Sequence, residues 1–440
     1  HTNLVDGELT LLTAATSLEI AGARAFDVRS IDAGNEGANF NHLILDSADT
    51  ITFGTGASTF RALTVEADVN VDVVENVSTT VGNLLINADF ESNGTGDVHI
   101  SDAHSIISAA DLTIGGQRIQ FETAGTLTAA GNLTLNDAVD DTDNNGLDGT
   151  VNFTNSDGTG TVSLQAIAGG SQAINISNFS DVTINAAISG AGAVTITAPT
   201  DRNILTSGTG GLILTQAEMG NIATSNLSLV TKGTGDITIS SGVDIRTSNV
   251  TALTLDSHND INFSNPLKAK TLTAIADLDI AVDANITTNT GNITLEAADE
   301  AGGAHTISVA NGVTIDSGDD LVFQNGADAI GINSAGAATF RAVDNITFNA
   351  NTTLTATAGT TTINADTDAA GTGTVTLDAT TATNQALNVT GHDFAVIAAV
   401  AADTITLTST AGAGNINIGH TSGGATHTNL VDAELFESIV

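Results

Sequence analysis

A chain of 440 residues carrying 50 acidic and 10 basic side chains, for a formal net charge of −40, exceeds one ordinary globular core and is too acidic to favour nucleic acid or an anionic membrane surface. Cysteine is absent, which excludes disulfides and thiolate metal sites, and no apolar run reaches the roughly 18 residues of a membrane-spanning helix. Apolar residues make up 41 % but aromatics only 3 %, with no Trp and no Tyr, so any core is narrow and filled by Val, Ile, Leu and Ala.

From the start of the chain one short unit recurs: Gly, Asp or Asn, then an apolar-polar-apolar triplet. It appears as Asp49-Thr-Ile-Thr-Phe53, Gly82-Asn-Leu-Leu-Ile86, Ala110-Asp-Leu-Thr-Ile114 and Gly131-Asn-Leu-Thr-Leu135. It continues as Ser180-Asp-Val-Thr-Ile184, Asn259-Asp-Ile-Asn-Phe263, Gly291-Asn-Ile-Thr-Leu295 and Asp344-Asn-Ile-Thr-Phe348, and persists to Gly414-Asn-Ile-Asn-Ile418. A period of two with Thr, Ser or Asn in the middle predicts a half-buried strand. No comparable stretch keeps a helical period with caps, so little or no helix is expected. Five copies open on Gly-Thr-Gly, at 94, 158, 208, 233 and 371. These turns open strands and lack a following Lys, unlike phosphate loops, which open helices.

Short strands in series, 45 glycines, 2 prolines and no linker predict an all-β chain: a single-stranded parallel β-helix, or β-solenoid, forming an elongated rod. The spacing allows two or three strands per coil at roughly 23 residues per coil. The longest alternation, VEADVNVDV at 65–73, reads as one strand with Val65, Ala67, Val69, Val71 and Val73 inward. An antiparallel sandwich is the competing all-β answer, but Asn-Gly turns lack flanking strand pairs.

The acidic stretch at 137–148 stands out from this pattern. Asp141, Asp143, Asn145 and Asp148 offer alternate oxygens around Gly146, the spacing of a calcium loop, although the twelfth position is Asn152 where Glu is usual. Calcium is the one cofactor the sequence suggests; a solvated acidic loop is the plainer alternative. The 9 histidines show no metal-ligand spacing, and no nucleophile elbow occurs. Asn-x-Thr sequons at Asn132, Asn292 and Asn345 arise automatically from the strand pattern.

The two ends share a segment. His1-Thr-Asn-Leu-Val-Asp-Gly-Glu-Leu9 returns as His427-Thr-Asn-Leu-Val-Asp-Ala-Glu-Leu435, with Gly7 against Ala433 the sole change. Residues 1–426 therefore read as one long repeat and 427–440 as the start of the next, or as a docking segment. The first copy is expected to run into a strand at 7–11. Open strand edges invite pairing, which makes His1, Thr2, Asn3, Leu4, Val5 and Leu9 at one end the candidate assembly residues. Leu430, Val431, Leu435 and Phe436 are their counterparts at the other.

The Gly-Asn-Ile-Thr-Leu, Gly-Asp-Ile-Thr-Ile and Gly-Asn-Leu-Thr-Leu strands, the Ala/Gly/Asn/Thr-rich composition and the missing Cys and Trp resemble the repeat region of filamentous-haemagglutinin-type exoproteins and related giant bacterial surface adhesins. The resemblance implies a right-handed parallel β-helix, export across the outer membrane and a fibrous role outside the cell. The partner expected is the chain itself, head to tail, with no nucleic acid and no membrane insertion. Two other readings compete. One is a polysaccharide-acting β-helix enzyme, disfavoured by the lack of Trp and Tyr; the other is ice binding through outward Thr rows such as Thr126-Leu-Thr128.

Overall fold

The computed structural model describes residues 2–14, 16–32, 40–91, 95–101, 103–140, 147, 149–297, 305–325, 330–349, 352–377, 380–383, 386–396, 400–410 and 416–418. The chain forms two compact units, residues 1–200 with 217–227, and residues 201–216 with 228–440. Each unit is a stack of coils, and every registered strand pairing among the described residues is parallel. The fold is the β-solenoid that the strand pattern predicts, and the antiparallel alternative is excluded.

The first unit has three faces. One stacks Thr2–Val5, Phe26–Arg29, Ile51–Phe53, Asn70–Val73, Asp97–Ile100 and Arg118–Phe121. The second stacks Ser58–Phe60, Val77–Thr79, Ser105–Ser108, Gly125–Ala129, Val151–Asn155 and Ala173–Ser177. The third runs from Ser17–Gly22 through Leu63–Ala67 to Asp181–Ile184. The second unit repeats the plan with faces running through Ile261–Phe263, Leu267–Ala269 and Leu272–Ala276. Three strands per coil is thus the rule.

Coil length varies while register does not. Leu43, Leu63, Leu84, Leu112 and Leu133 pair in succession although the intervals between them are 20, 21, 28 and 21 residues. Corners absorb the difference, because a slip of one residue would turn every inward side chain to solvent. All five leucines are fully buried. Burying each is worth roughly 1.5–3 kcal/mol, so the column is a strong constraint on register.

Some corners need glycine for space. A Cβ on Gly96 would lie 1.8 Å from the Ala88 carbonyl oxygen, and one on Gly160 would lie 1.8 Å from that of Gly131. These are second glycines of Gly-Thr-Gly, so the motif marks a corner where another stretch of backbone passes at contact distance. Gly210 is the exception, with open space around it.

Two expectations are corrected. Alternation at 65–73 is two strands, Leu63–Ala67 and Asn70–Val73, with the corner at Asp68 and Val69. Val69 is 42 % exposed while Val65, Ala67, Val71 and Val73 are fully buried. A three-faced coil must turn there, and hydrophobic alternation continues across the bend. The strand expected at 7–11 is instead a helical turn, Asp6–Leu9. Its Glu8 carboxylate accepts the Val5 N–H at 3.3 Å, and Leu9 is fully buried whereas Leu11 is 83 % exposed. A turn that buries one leucine and caps the preceding strand wins over an alternation that buries neither edge. Besides it, Gln216–Gly220 is a second short helix among the described residues.

Candidate functional site

The recurring Asn or Asp before many of the apolar triplets has a specific task. Its side-chain oxygen reaches along the stack and accepts the backbone N–H of the equivalent residue one coil later. In the first unit Asn83 Oδ1 accepts from Asp111 at 3.2 Å, Asp111 Oδ1 from Asn132 at 2.8 Å, and Asn132 Oδ1 from Thr161 at 3.0 Å. In the second unit Asn292, Asp320 and Asn345 accept in the same way from Asp320, Asn345 and Thr374 at 3.3, 3.0 and 3.0 Å. Another column runs Asn203, Asp236, Asp260, Asp279 to Thr306. In each of these bonds the acceptor lies in the earlier coil and the donor in the later one. These columns therefore have a chemical direction beyond that of the strands.

A buried hydroxyl fixes several of these corners. Ser108 Oγ donates to the Asp111 carbonyl at 2.8 Å, Ser257 to that of Asp260 at 2.9 Å and Ser317 to that of Asp320 at 2.6 Å. Ser108, Ser257 and Ser317 are essentially unexposed, so each pays its desolvation with a hydrogen bond. Sequence reasoning passed over these serines. Their signal was available as Ser-x-x-Asp before each apolar triplet.

Acid groups crowd beside the column of Asn292, Asp320 and Asn345. Among the described residues Asp319, Asp320 and Asp344 place carboxylate oxygens within 4.8 Å of one another, a donor set suited to a hard cation such as calcium. Burial, then the charges of Asp320 and Asp344, push the Asp319 carboxyl above the usual carboxylate range. Asp320 also accepts from Asn345 Nδ2 at 2.9 Å, and Asp344 from Thr372 Oγ1 at 3.0 Å. In the neighbouring column burial chiefly, with the charges of Asp236 and Asp279, raises Asp260; the Asp279 N–H and His305 oppose it.

On the first face of the first unit, His99 stands where Thr is usual. Its Nδ1 lies 2.9 Å from Asp72 Oδ1 and its Nε2 4.0 Å from Asp97 Oδ2, while Arg118 Nη2 pairs with Asp97 at 3.0 Å. The hydrogen bond to Asp72 above all raises the His99 pKa, against burial and aided by both carboxylates and Gln120. The second face differs in character. Its outward ladder runs Thr126/Thr128, Asn152/Thr154 and Asn175/Ser177 to Thr195/Thr197 with no ionisable side chain. Asn175 Nδ2 donates to Asn152 Oδ1 at 2.9 Å, and the Thr154 and Ser177 hydroxyls are 3.2 Å apart.

Of the assembly residues, Thr2, Asn3, Leu4 and Val5 form the first strand of the first unit, Leu4 inward and Val5 38 % exposed, with Leu9 buried beside them. His1, Leu430, Val431, Leu435 and Phe436 lie outside the described residues, as do the calcium-loop residues Asp141, Asp143, Asn145 and Asp148. The sequon residues Asn132, Asn292 and Asn345 spend their side-chain oxygens on ladder bonds. No family model, curated protein or solved structure matches this chain.

Proposed function

We propose that the chain is a structural repeat of a bacterial cell-surface filament or adhesin fibre, secreted and joined head to tail through its end coils. One observation carries this reading: in the three Asn/Asp columns described above, each bond runs from an acceptor in the earlier coil to a donor in the later one, in both units. Such a stack matches another copy in the same orientation and mismatches one that is inverted, which favours a polar, heterologous assembly. The nonapeptide shared by 1–9 and 427–435 supports the same arrangement. In this reading the chain is not an enzyme, its partner is itself, and the acidic surface keeps fibres soluble and apart. The loop at 141–148 is its calcium site. Negative-stain imaging of purified protein tests the proposal: rods support it, and globular particles alone contradict it.

A second reading, ice binding, draws on the uncharged Thr/Asn/Ser ladder between Thr126 and Thr197. On so acidic a chain a charge-free face with one row per coil, about 4.8 Å apart, is suited to a regular neutral lattice. Thermal hysteresis of a dilute solution separates the two readings.

A further inference from the structure

The first coil shows what a docking segment must supply. Thr2–Val5 pairs with Phe26–Arg29 in parallel, Thr2 with Phe26, Asn3 with Asp27, Leu4 with Val28 and Val5 with Arg29. The Thr2 N–H donates to the Ala25 carbonyl at 2.9 Å. Leu4 and Leu9 are the buried anchors. Asp6 Oδ1 accepts the Asp32 N–H at 3.1 Å, and Glu8 caps Val5. Each of these groups has an identical counterpart in the second copy: Thr428, Asn429, Leu430, Val431, Asp432, Glu434 and Leu435.

The single difference is permitted by the structure. A Cβ placed on Gly7 meets nothing within 4 Å, and Gly7 is not among the glycines with positive φ. An alanine at position 7 would therefore be accommodated in this turn, and alanine favours a helical turn more than glycine does. Position 10 is also tolerant: Thr10 is exposed, so a larger side chain there would meet no packed wall.

We infer that residues 428–435 of one copy take the place of Thr2–Leu9 in a second copy, pairing in parallel with its Phe26–Arg29 strand. This deepens the head-to-tail reading and rests on it. The exchange is strand addition with a segment that carries the same contacts as the one it replaces. Because the incoming segment follows the strand it would pair with in chain order, each copy offers both a donor and an acceptor, and the series of copies runs in one direction.

The absence of cysteine gives a clean test on the full chain. Asp27→Cys and Asn429→Cys, introduced together, place thiols where Asn3 and Asp27 now face each other across the strands. Mild oxidation is expected to give a ladder of covalent dimers, trimers and longer species on a denaturing gel, while either substitution alone stops at dimers. A double variant with Leu430→Asp and Leu435→Asp added should lose the ladder and keep the circular dichroism spectrum and unfolding midpoint. Rods by negative stain without a 27–429 bond overturn the exchange and leave the filament reading standing. Neither rods nor bond overturns both. A 27–429 bond closed within single chains also overturns the exchange.

Discussion

Replacing Asn345 by Ala removes a ladder rung from the middle of the second unit. Two bonds are lost: Nδ2 to the Asp320 carboxylate at 2.9 Å, and the Thr374 N–H to Oδ1 at 3.0 Å. A neutral bond contributes about 1 kcal/mol and one to a charged group about 1.5–3 kcal/mol, and both are half-exposed here, so about 2 kcal/mol is the expected total. That is roughly 30-fold in an opening equilibrium. A stacked protein need not unfold in one step, so the assay should be local. Hydrogen exchange of the Thr374 amide is expected to accelerate by about that factor, with smaller changes one coil away. Exchange at Thr374 unchanged within a factor of two would refute the claim that the ladder binds coil to coil.

Further consequences are open to measurement. Phe348→Ala should cost about 3–5 kcal/mol by its cavity, since Phe348 stacks on Phe323 at 4.9 Å and meets Phe340 edge-on at 5.8 Å; urea unfolding of the second unit reads this. His99 has a raised folded pKa, so its pair with Asp72 stabilises below the ordinary histidine value and fades as pH rises through the raised one. His99→Gln should therefore lower the urea midpoint at pH 5.5 and much less at pH 8.5. Asp260 is raised as well, so the folded state binds the extra proton, and its charge works against folding above that pKa. Asp260→Asn keeps the ladder acceptor and should raise the midpoint at pH 7, with the gain shrinking towards pH 4. Calorimetric titration with calcium should show binding that Asp141→Asn and Asp143→Asn together remove; heats identical in wild type and variant would withdraw the site.

The strands themselves were legible because apolar-polar-apolar is a local signal, and Leu84, Leu112 and Leu133 fall inward wherever it occurs. Corners were less so. At 65–73 the alternation continues through a bend, because Asp68 and Val69 keep the period while the chain changes face. At 6–9 an apparent strand is a turn, decided by the Glu8 cap and the burial of Leu9, neither of which a two-residue period records. The ladder was visible as a preference for Asn and Asp, but its meaning was hidden because the bond partner lies 19 to 33 residues away across corners of unequal length. Asp319, Asp320 and Asp344 were missed for the same reason: Asp344 approaches the other two only once the register between Leu321 and Ile346 is set.

The most direct measurement is a cryo-EM map of assembled material resolved along its long axis. Strands are expected about 4.8 Å apart, all parallel, continuing without a break across the junction between copies, with Asn429 of one copy beside Asp27 of the next. Particles that stay single, or a junction without strand pairing, would contradict it.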